Sequence, residues 1–279
     1  MLVVTNTHRM TKQILAFIAA AISPLGAAED WFEVERKNVR PLSTDSPDQT
    51  ESAQTVPKGW FQVESNLVSF SRSYGMGELS QDTSVSDFIF KYGITRNTDL
   101  QVGWAPRLLH RDKDTDGVLV GKTSGSSDVT LRMKTNLVGN DEGGYAIALL
   151  PWVKLPTASY GLGNQCWEYG LTINQELDIG GGWELGSSIF LAMAVNDERQ
   201  RYFEPAFTLA IGRDLTEKLA FYVETYQGWL NDDRRYLQSS FDGGLTYMVT
   251  PNLKFDVGMN WFFNGHQALN PFVGVSFRF

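Results

Sequence analysis

The chain has 279 residues, 42% of them hydrophobic and 13% aromatic, with 26 glycines and 8 tryptophans. That suffices for one large domain or two small ones, and the glycine and ring content favours many closely spaced strands over a helical protein. The formal net charge of -8 offers no cationic surplus to exchange for phosphate counterions, so no nucleic acid is expected as a partner. Cys166 stands alone, which excludes an intrachain disulfide and a thiolate metal cluster.

Residues 1–28 read as a cleaved signal peptide. Arg9 and Lys12 precede the apolar run Ile14 to Ile22, and Gly26, Ala27 and Ala28 supply the small residues of a cleavage site. The run is shorter than the roughly 20 residues that span a bilayer as a helix. Met1 and Met10 both remain possible starts. Residues 29–58 follow as a polar N-terminal extension with Pro41, Pro47 and Pro57 and neither helical nor strand periodicity. A flexible periplasmic leader and a plug folded into a lumen are both compatible with it.

From residue 59 the apolar residues alternate. The first strand spans about 60–71, with Phe61, Val63 and Leu67 opposite Gln62, Glu64 and Asn66; the second spans 84–92, with Phe88, Phe90 and Tyr92 opposite Asp87 and Lys91. Leu100, Val102 and Trp104 form the third, and a polar loop at 110–126 follows. Its DKDTDG core lacks the spacing and terminal Glu of an EF-hand, so it reads as a solvated loop. The fourth strand, 128–137, sets Val129, Leu131 and Met133 against Asp128, Arg132 and Lys134. Three charges on one strand face are costly in a dry core and cheap in a wet lumen.

Residues 145–155 place Ile147, Leu149, Val153 and Leu155 opposite Lys154, with Pro151 awkward inside a sheet because it has no ladder donor. Trp167 to Leu177 alternate with Glu168 and Glu176; the next strands carry Glu184, then Glu204, then Tyr222, Glu224 and Tyr226, then Asp242 on their polar faces. The last two strands alternate from Leu253 to Phe262 and from Val273 to Phe279, with Asp256 and Arg278 on the polar side and an aromatic terminus. The expected fold is therefore all-β: a transmembrane antiparallel up-and-down β-barrel of twelve strands over 59–279, in the outer membrane of a Gram-negative bacterium. Connections alternate between tight ones (93–98, 138–144, 178–182, 213–218, 250–252) and generally longer ones (72–83, 109–126, 157–165, 196–200, 230–238, 265–270). Short periplasmic turns and longer external loops account for that asymmetry.

Alternation assigns to the lumen Glu64, Asp87, Lys91, Arg132, Lys134, Lys154, Glu168, Glu176, Glu184, Glu204, Tyr222, Glu224, Tyr226, Asp242, Asp256 and Arg278. The functional expectation is a channel or transporter whose polar lining biases small solutes; the alternative is a structural barrel braced shut by ion pairs. No cofactor is expected. The expected partners are outer-membrane lipid, a small-molecule solute, and the barrel assembly machinery through the strand ending in Phe279. An outer-membrane hydrolase would need a nucleophile, a His base and an orienting partner. Only His110 and His266 remain after signal cleavage, so an enzyme is not expected.

Residues 40–64, RPLSTDSPDQTESAQTVPKGWFQVE, resemble the opening signature of the bacterial outer-membrane transporter family associated with the meta pathway of phenol degradation. Its pattern is similar to RPxxTDRPDxTES followed by VPxGxxQxE. Ser46 stands where the family usually has arginine and Gln49 where an aromatic is common. KYGITRNTDLQVGW, SDVTLRMKTNL, ALLPWVKLPTAS and the C-terminal strands are also similar to family segments. The resemblance implies an outer-membrane barrel grouped with transporters, including candidates for uptake of aromatic or other hydrophobic compounds.

Overall fold

A computed structural model of the chain describes residues 39–279, apart from 47–48, 76–77, 115, 142, 197, 232–234 and 266. The signal-like residues 1–28 and His266 lie outside the described residues. All regular elements among them are strands: β1 (Phe61–Gly75), β2 (Glu78–Gly93), β3 (Thr98–Trp104), β4 (Arg107–Lys113), β5 (Leu119–Gly125), β6 (Val129–Val138), β7 (Tyr145–Leu155), β8 (Glu168–Gly180), β9 (Trp183–Val195), β10 (Arg201–Asp214), β11 (Leu219–Asn231), β12 (Arg235–Thr250), β13 (Leu253–Asn264) and β14 (Gln267–Arg278). Neighbours are antiparallel, and β1 pairs with both β2 and β14, so the sheet closes on itself. Closure through β1–β2 pairs every wall strand on both sides except along β5, and backbone pairing of this kind is what lets strands cross a bilayer.

The fourteen segments make twelve wall strands. One wall strand is β3 followed by β4, interrupted at Ala105 and Pro106; β2 pairs with both parts. Another is β5 followed by β6, interrupted at 126–128, and these pair with β4 and β3 respectively. Beyond the break β5 has no ladder partner on its far side among the described residues. At the break itself residues 156–167 lie against the wall: Ser126 N donates to Ser159 Oγ (2.9 Å), Ser126 O accepts from Ser159 N (3.1 Å), and Asp128 Oδ1 accepts from the backbone of Thr157 (2.8 Å) and Ala158 (2.7 Å).

Several expected external loops are corrected. Residues 72–83 are mostly strand, continuing β1 and β2, and 109–126 hold the rest of β4 and all of β5. Outside the hydrocarbon the apolar alternation stops, but backbone hydrogen bonding does not depend on side-chain polarity, so the ladder goes on. The prolines mark where it does fail. The β6–β7 ladder skips from Arg132↔Trp152 to Thr135↔Leu149 around Pro151, the β10–β11 ladder starts only after Pro205, and the β1–β14 ladder skips from Ser69↔Phe272 to Arg72↔Leu269 around Pro271.

The two faces invert the pattern of a soluble protein. Val257, Val273, Val68 and Val85 lie opposite one another in register on β13, β14, β1 and β2, and each is more than a third exposed, toward lipid. Lys134, Gln62, Gln101, Asn174, Glu224 and Asp242 are almost fully buried and face inward. At the short-turn end, Phe61 and Phe279 exchange backbone hydrogen bonds of 2.9 Å each, and the Phe61 ring lies 5.7 Å from that of Phe279 and 4.6 Å from Tyr92.

Candidate functional site: the barrel lumen

The polar segment 39–57 runs through the lumen, and it has no ladder to satisfy its own backbone. Wall carboxylates replace one. Glu64 on β1 accepts from the backbone N–H of Asp45 (2.8 Å) and Ser46 (3.0 Å); Glu224 on β11 from Gln49 (2.8 Å); Glu176 on β8 from Ala53 (3.0 Å); and Asp99 on β3 from Val56 (2.8 Å). Each interaction meets a backbone donor that would otherwise be costly to bury.

Wall cations take the segment's acceptors. Asp45 receives Lys91 (2.6 Å) from β2 and Lys134 (2.5 Å) from β6, with Arg132 at 3.5 Å and the Ser52 amide at 3.0 Å. Burial alone would raise the Asp45 carboxyl, but Lys134, Lys91 and Arg132 together hold it well below the usual carboxylate range. Arg132 also pairs closely with Glu51, whose carboxyl is nevertheless raised by burial, Arg132 offsetting only part of that. At the short-turn end Arg278 donates to the carbonyl of Arg40 (3.0 Å), while Arg40 Nη2 reaches the carbonyl of Arg96 (2.8 Å). Asn140 Oδ1 accepts from the Thr55 amide (3.0 Å), and Asn136 Nδ2 donates to Ala53 O (2.9 Å).

Of the residues alternation placed inside, Glu64, Lys91, Arg132, Lys134, Glu176, Glu224, Asp242, Asp256 and Arg278 meet the segment. Asp242 accepts from Gln49 Nε2 (2.7 Å), and Asp256 lies 3.5 Å from Ser46 Oγ. Lys154 and Glu168 instead pair with each other (2.8 Å) at the far end, beside Asp128 and Asn164, where they brace the 156–167 segment. Glu204 accepts from Tyr202 (2.7 Å). Tyr222 is buried, its ring packed over the backbone of Gly244 and Gly258, and Tyr226 meets Phe262 edge-on at 6.2 Å.

Glu184 lines a cavity of about 570 Å³ on the short-turn side of the segment, with Glu176, Asp178, Asp214 and Lys254. Asp87 lines a second, of about 230 Å³, with Asn66, Ile89 and Arg132. Ser46 and Glu51 border both. His110 turns its two ring nitrogens to Asp82 (2.6 Å) and Asp112 (3.0 Å). Ser126, at the end of the polar stretch 110–126, donates its backbone N–H to Ser159 Oγ (2.9 Å). Among the described residues no group of three or more His, Cys, Asp and Glu side chains is arranged to hold a metal ion.

Residues 44–279 match the family model described as "Putative MetA-pathway of phenol degradation". The chain belongs to this family. Among solved structures, it is similar to an outer-membrane channel from Pseudomonas putida F1, at 14% identity and a TM-score of 0.63, covering 88% of this chain and 100% of that one. The NanC porin is more distant, at 11% identity and a TM-score of 0.48, covering 77% of this chain and 98% of that one. No functionally curated protein matches the chain. The family match begins at Thr44, inside the lumen segment. Gln49, where the family commonly has an aromatic, bonds to Ser240 Oγ (3.1 Å) and Asp242 here. Ser46, where arginine is usual, gives Asp256 a long hydroxyl contact, and the nearby Lys254 Nζ bonds Ser46 O at 2.9 Å.

Proposed function

We propose that this protein is an outer-membrane channel for small solutes, that its lumen segment 39–57 restricts the passage, and that amphipathic aromatic compounds are the class the lumen suits. The observation that carries the reading is a segment seated across a polar lumen by side-chain bonds, with a cavity on each side and Ser46 and Glu51 between them. A segment held in this way can be displaced without unzipping the wall, since the wall ladders do not include it. The acids Glu176, Asp178, Glu184 and Asp214 outnumber Arg213 and Lys254 around the larger cavity, which favours cations in any residual conductance. Inward rings at Tyr222, Tyr226, Phe262 and Phe272 beside Glu224 and Asp256 support an amphipathic aromatic solute, and the family description points the same way.

The deciding experiment is deletion of residues 29–58 from the mature chain, refolding in detergent, and planar-bilayer conductance, with heat-modifiable gel migration to establish folding. Larger, cation-biased steps than in the intact chain are expected, followed by phenol-dependent block of the current. Equal conductance in two folded barrels would remove the restricting role, and a silent deletion variant would favour the purely structural reading.

A further inference from the structure

In a ladder, residues directly opposite each other share a face. The lipid-facing row Val257, Val273, Val68, Val85 continues in register to Arg107 on β4. Four residues along β4, a second row runs from the exposed Trp261 and Leu269 through Arg72 and Gln81 to Arg111 and Lys122. Both rows therefore lie on the outside of the barrel. The acids of the same strands, Asp82 and Asp112, lie on the inner face with His110.

The described outward positions of β1, β2, β4 and β5 in this half of the wall thus hold Arg72, Arg107, Arg111, Lys113 and Lys122 and no Asp or Glu. No described carboxylate lies within ion-pair distance of Arg107, Arg111 or Lys122. Asp114 and Asp116 sit at the β4–β5 tip, where Asp114 caps its own turn by accepting from Asp116 N and Val118 N. Arg111 directly opposite Lys122 is a like-charge pair, which destabilises a bare ladder. In a chain of net charge -8, the cluster of Arg107, Arg111 and Lys122 on one face calls for an anion from outside.

Position identifies which anion. Leu100 is exposed to lipid near the short-turn end of the wall strand to which Arg107 and Arg111 also belong. At ~3.3 Å per residue and ~40° tilt, Arg107 stands roughly 18 Å and Arg111 roughly 28 Å above it, against an apolar band of ~25 Å. Arg111 and, directly opposite it, Lys122 therefore lie at the headgroup layer on the side away from the short turns, and Arg107, rooted below that layer, reaches it along its long side chain.

We propose that Arg107, Arg111 and Lys122 form a binding site on the barrel's outer wall for the phosphate groups of a phosphorylated glycolipid of the outer leaflet. Arginine suits phosphate through paired, charge-assisted hydrogen bonds. The site rests on the outer-membrane reading but not on transport. Its occupant would be a resident lipid that cancels the Arg111–Lys122 repulsion and seals the half of the wall where β5 lacks a ladder partner.

The test uses the full mature barrel in detergent, with native mass spectrometry reading bound bisphosphorylated lipid A, its dephosphorylated form, or inorganic phosphate. The double variant R111Q/K122Q is compared with R201Q, which removes a cation over the Tyr169 ring on β8, away from this face. Wild type and R201Q are expected to retain the bisphosphorylated lipid, with at least about tenfold weaker retention in the double variant and in the dephosphorylated lipid. Equal retention by the double variant, equal loss in R201Q, or inorganic phosphate displacing the lipid at equal concentration would each overturn the site. Heat-modifiable migration and conductance are measured on the same preparations, so a folded, conducting barrel without the preference refutes the lipid site alone.

Discussion

The wall and the segment inside it are stabilised by opposite means. The wall is held by ladders that run from backbone to backbone, so its side chains are free to answer lipid on one face and water on the other. The segment 39–57 has few internal bonds and is held by side chains from strands all around the barrel, among them Glu64, Lys91, Asp99, Lys134, Glu176, Glu224 and Arg278. A substitution in the wall therefore spreads its effect over many bonds, whereas one in the segment acts on the few side chains that hold it. The barrel can remain folded while the segment's hold on the lumen changes.

Asp45 is where that contrast breaks most sharply. Asp45→Asn removes the charge that Lys91, Lys134 and Arg132 share, and breaking one partner of a buried ionic cluster costs about 3 kcal/mol. The expected result is a barrel with unchanged heat-modifiable migration and a raised open probability in planar bilayers. The pH profile checks the cause. The Asp45 carboxyl is held below its unfolded value, so its contribution is complete above the ordinary carboxylate pKa of about 4 and is lost as pH falls through the folded value. This contribution should remain constant between about pH 5 and 8 and decline in more acidic solution, and Asp45→Asn should abolish the part of the acid-induced opening that it causes.

Gly93→Ala comes next. A Cβ there would stand 2.1 Å from the carbonyl oxygen of Pro57 and 2.6 Å from its carbonyl carbon, where the segment leaves the lumen and Gly59 N bonds to Gly93 O at 2.8 Å. Backbone atoms cannot yield as a flexible side chain does, so a loss of about 1–3 kcal/mol is expected. Faster proteolysis within residues 39–57, with the β-sheet circular dichroism spectrum intact, would measure it. Glu51→Gln should do less. Its carboxyl is already raised by burial, so the ionised form is disfavoured in place, and losing the charge offsets part of losing the Arg132 contact. A conductance change as large as that of Asp45→Asn would show that Glu51 anchors the segment as strongly as Asp45 and would overturn this ranking.

The same contrast explains what could be read in the sequence. Lipid and lumen write their difference into every second residue, so β7 occupies the expected residues 145–155, and the twelve-strand wall and inward charges follow from alternation. Polar residues 72–83 and 109–126 carried no such mark, because beyond the hydrocarbon nothing forces alternation while the ladder persists. The segment's own anchors were harder still. Asp45, Gln49 and Glu51 have no periodicity, and their partners lie up to 193 residues away, as for Gln49 and Asp242. The usable signals were the family-like run TDSPDQTES and the neutral polar residues Gln62, Gln101, Asn136 and Asn140, inward residues that alternation had not singled out as charges.

The smallest expected effect joins the two regions. Pro151 sits at the gap in the β6–β7 ladder, and the residues left unpaired there on β6 are Met133 and Lys134, the latter being the cation that reaches Asp45. Pro151→Val supplies the missing N–H while keeping an apolar side chain toward lipid, and should stabilise the barrel by about 1 kcal/mol or less, measured by urea unfolding in lipid vesicles. If the ladder merely tolerates the gap, stability rises and conductance stays as it was. If the gap shapes the position of Lys134, closing it draws the ammonium away from Asp45 and conductance rises even as the wall becomes more stable. That second outcome would make the proline part of the segment's seat, and a wall residue with no contact to the segment would then belong to the functional site.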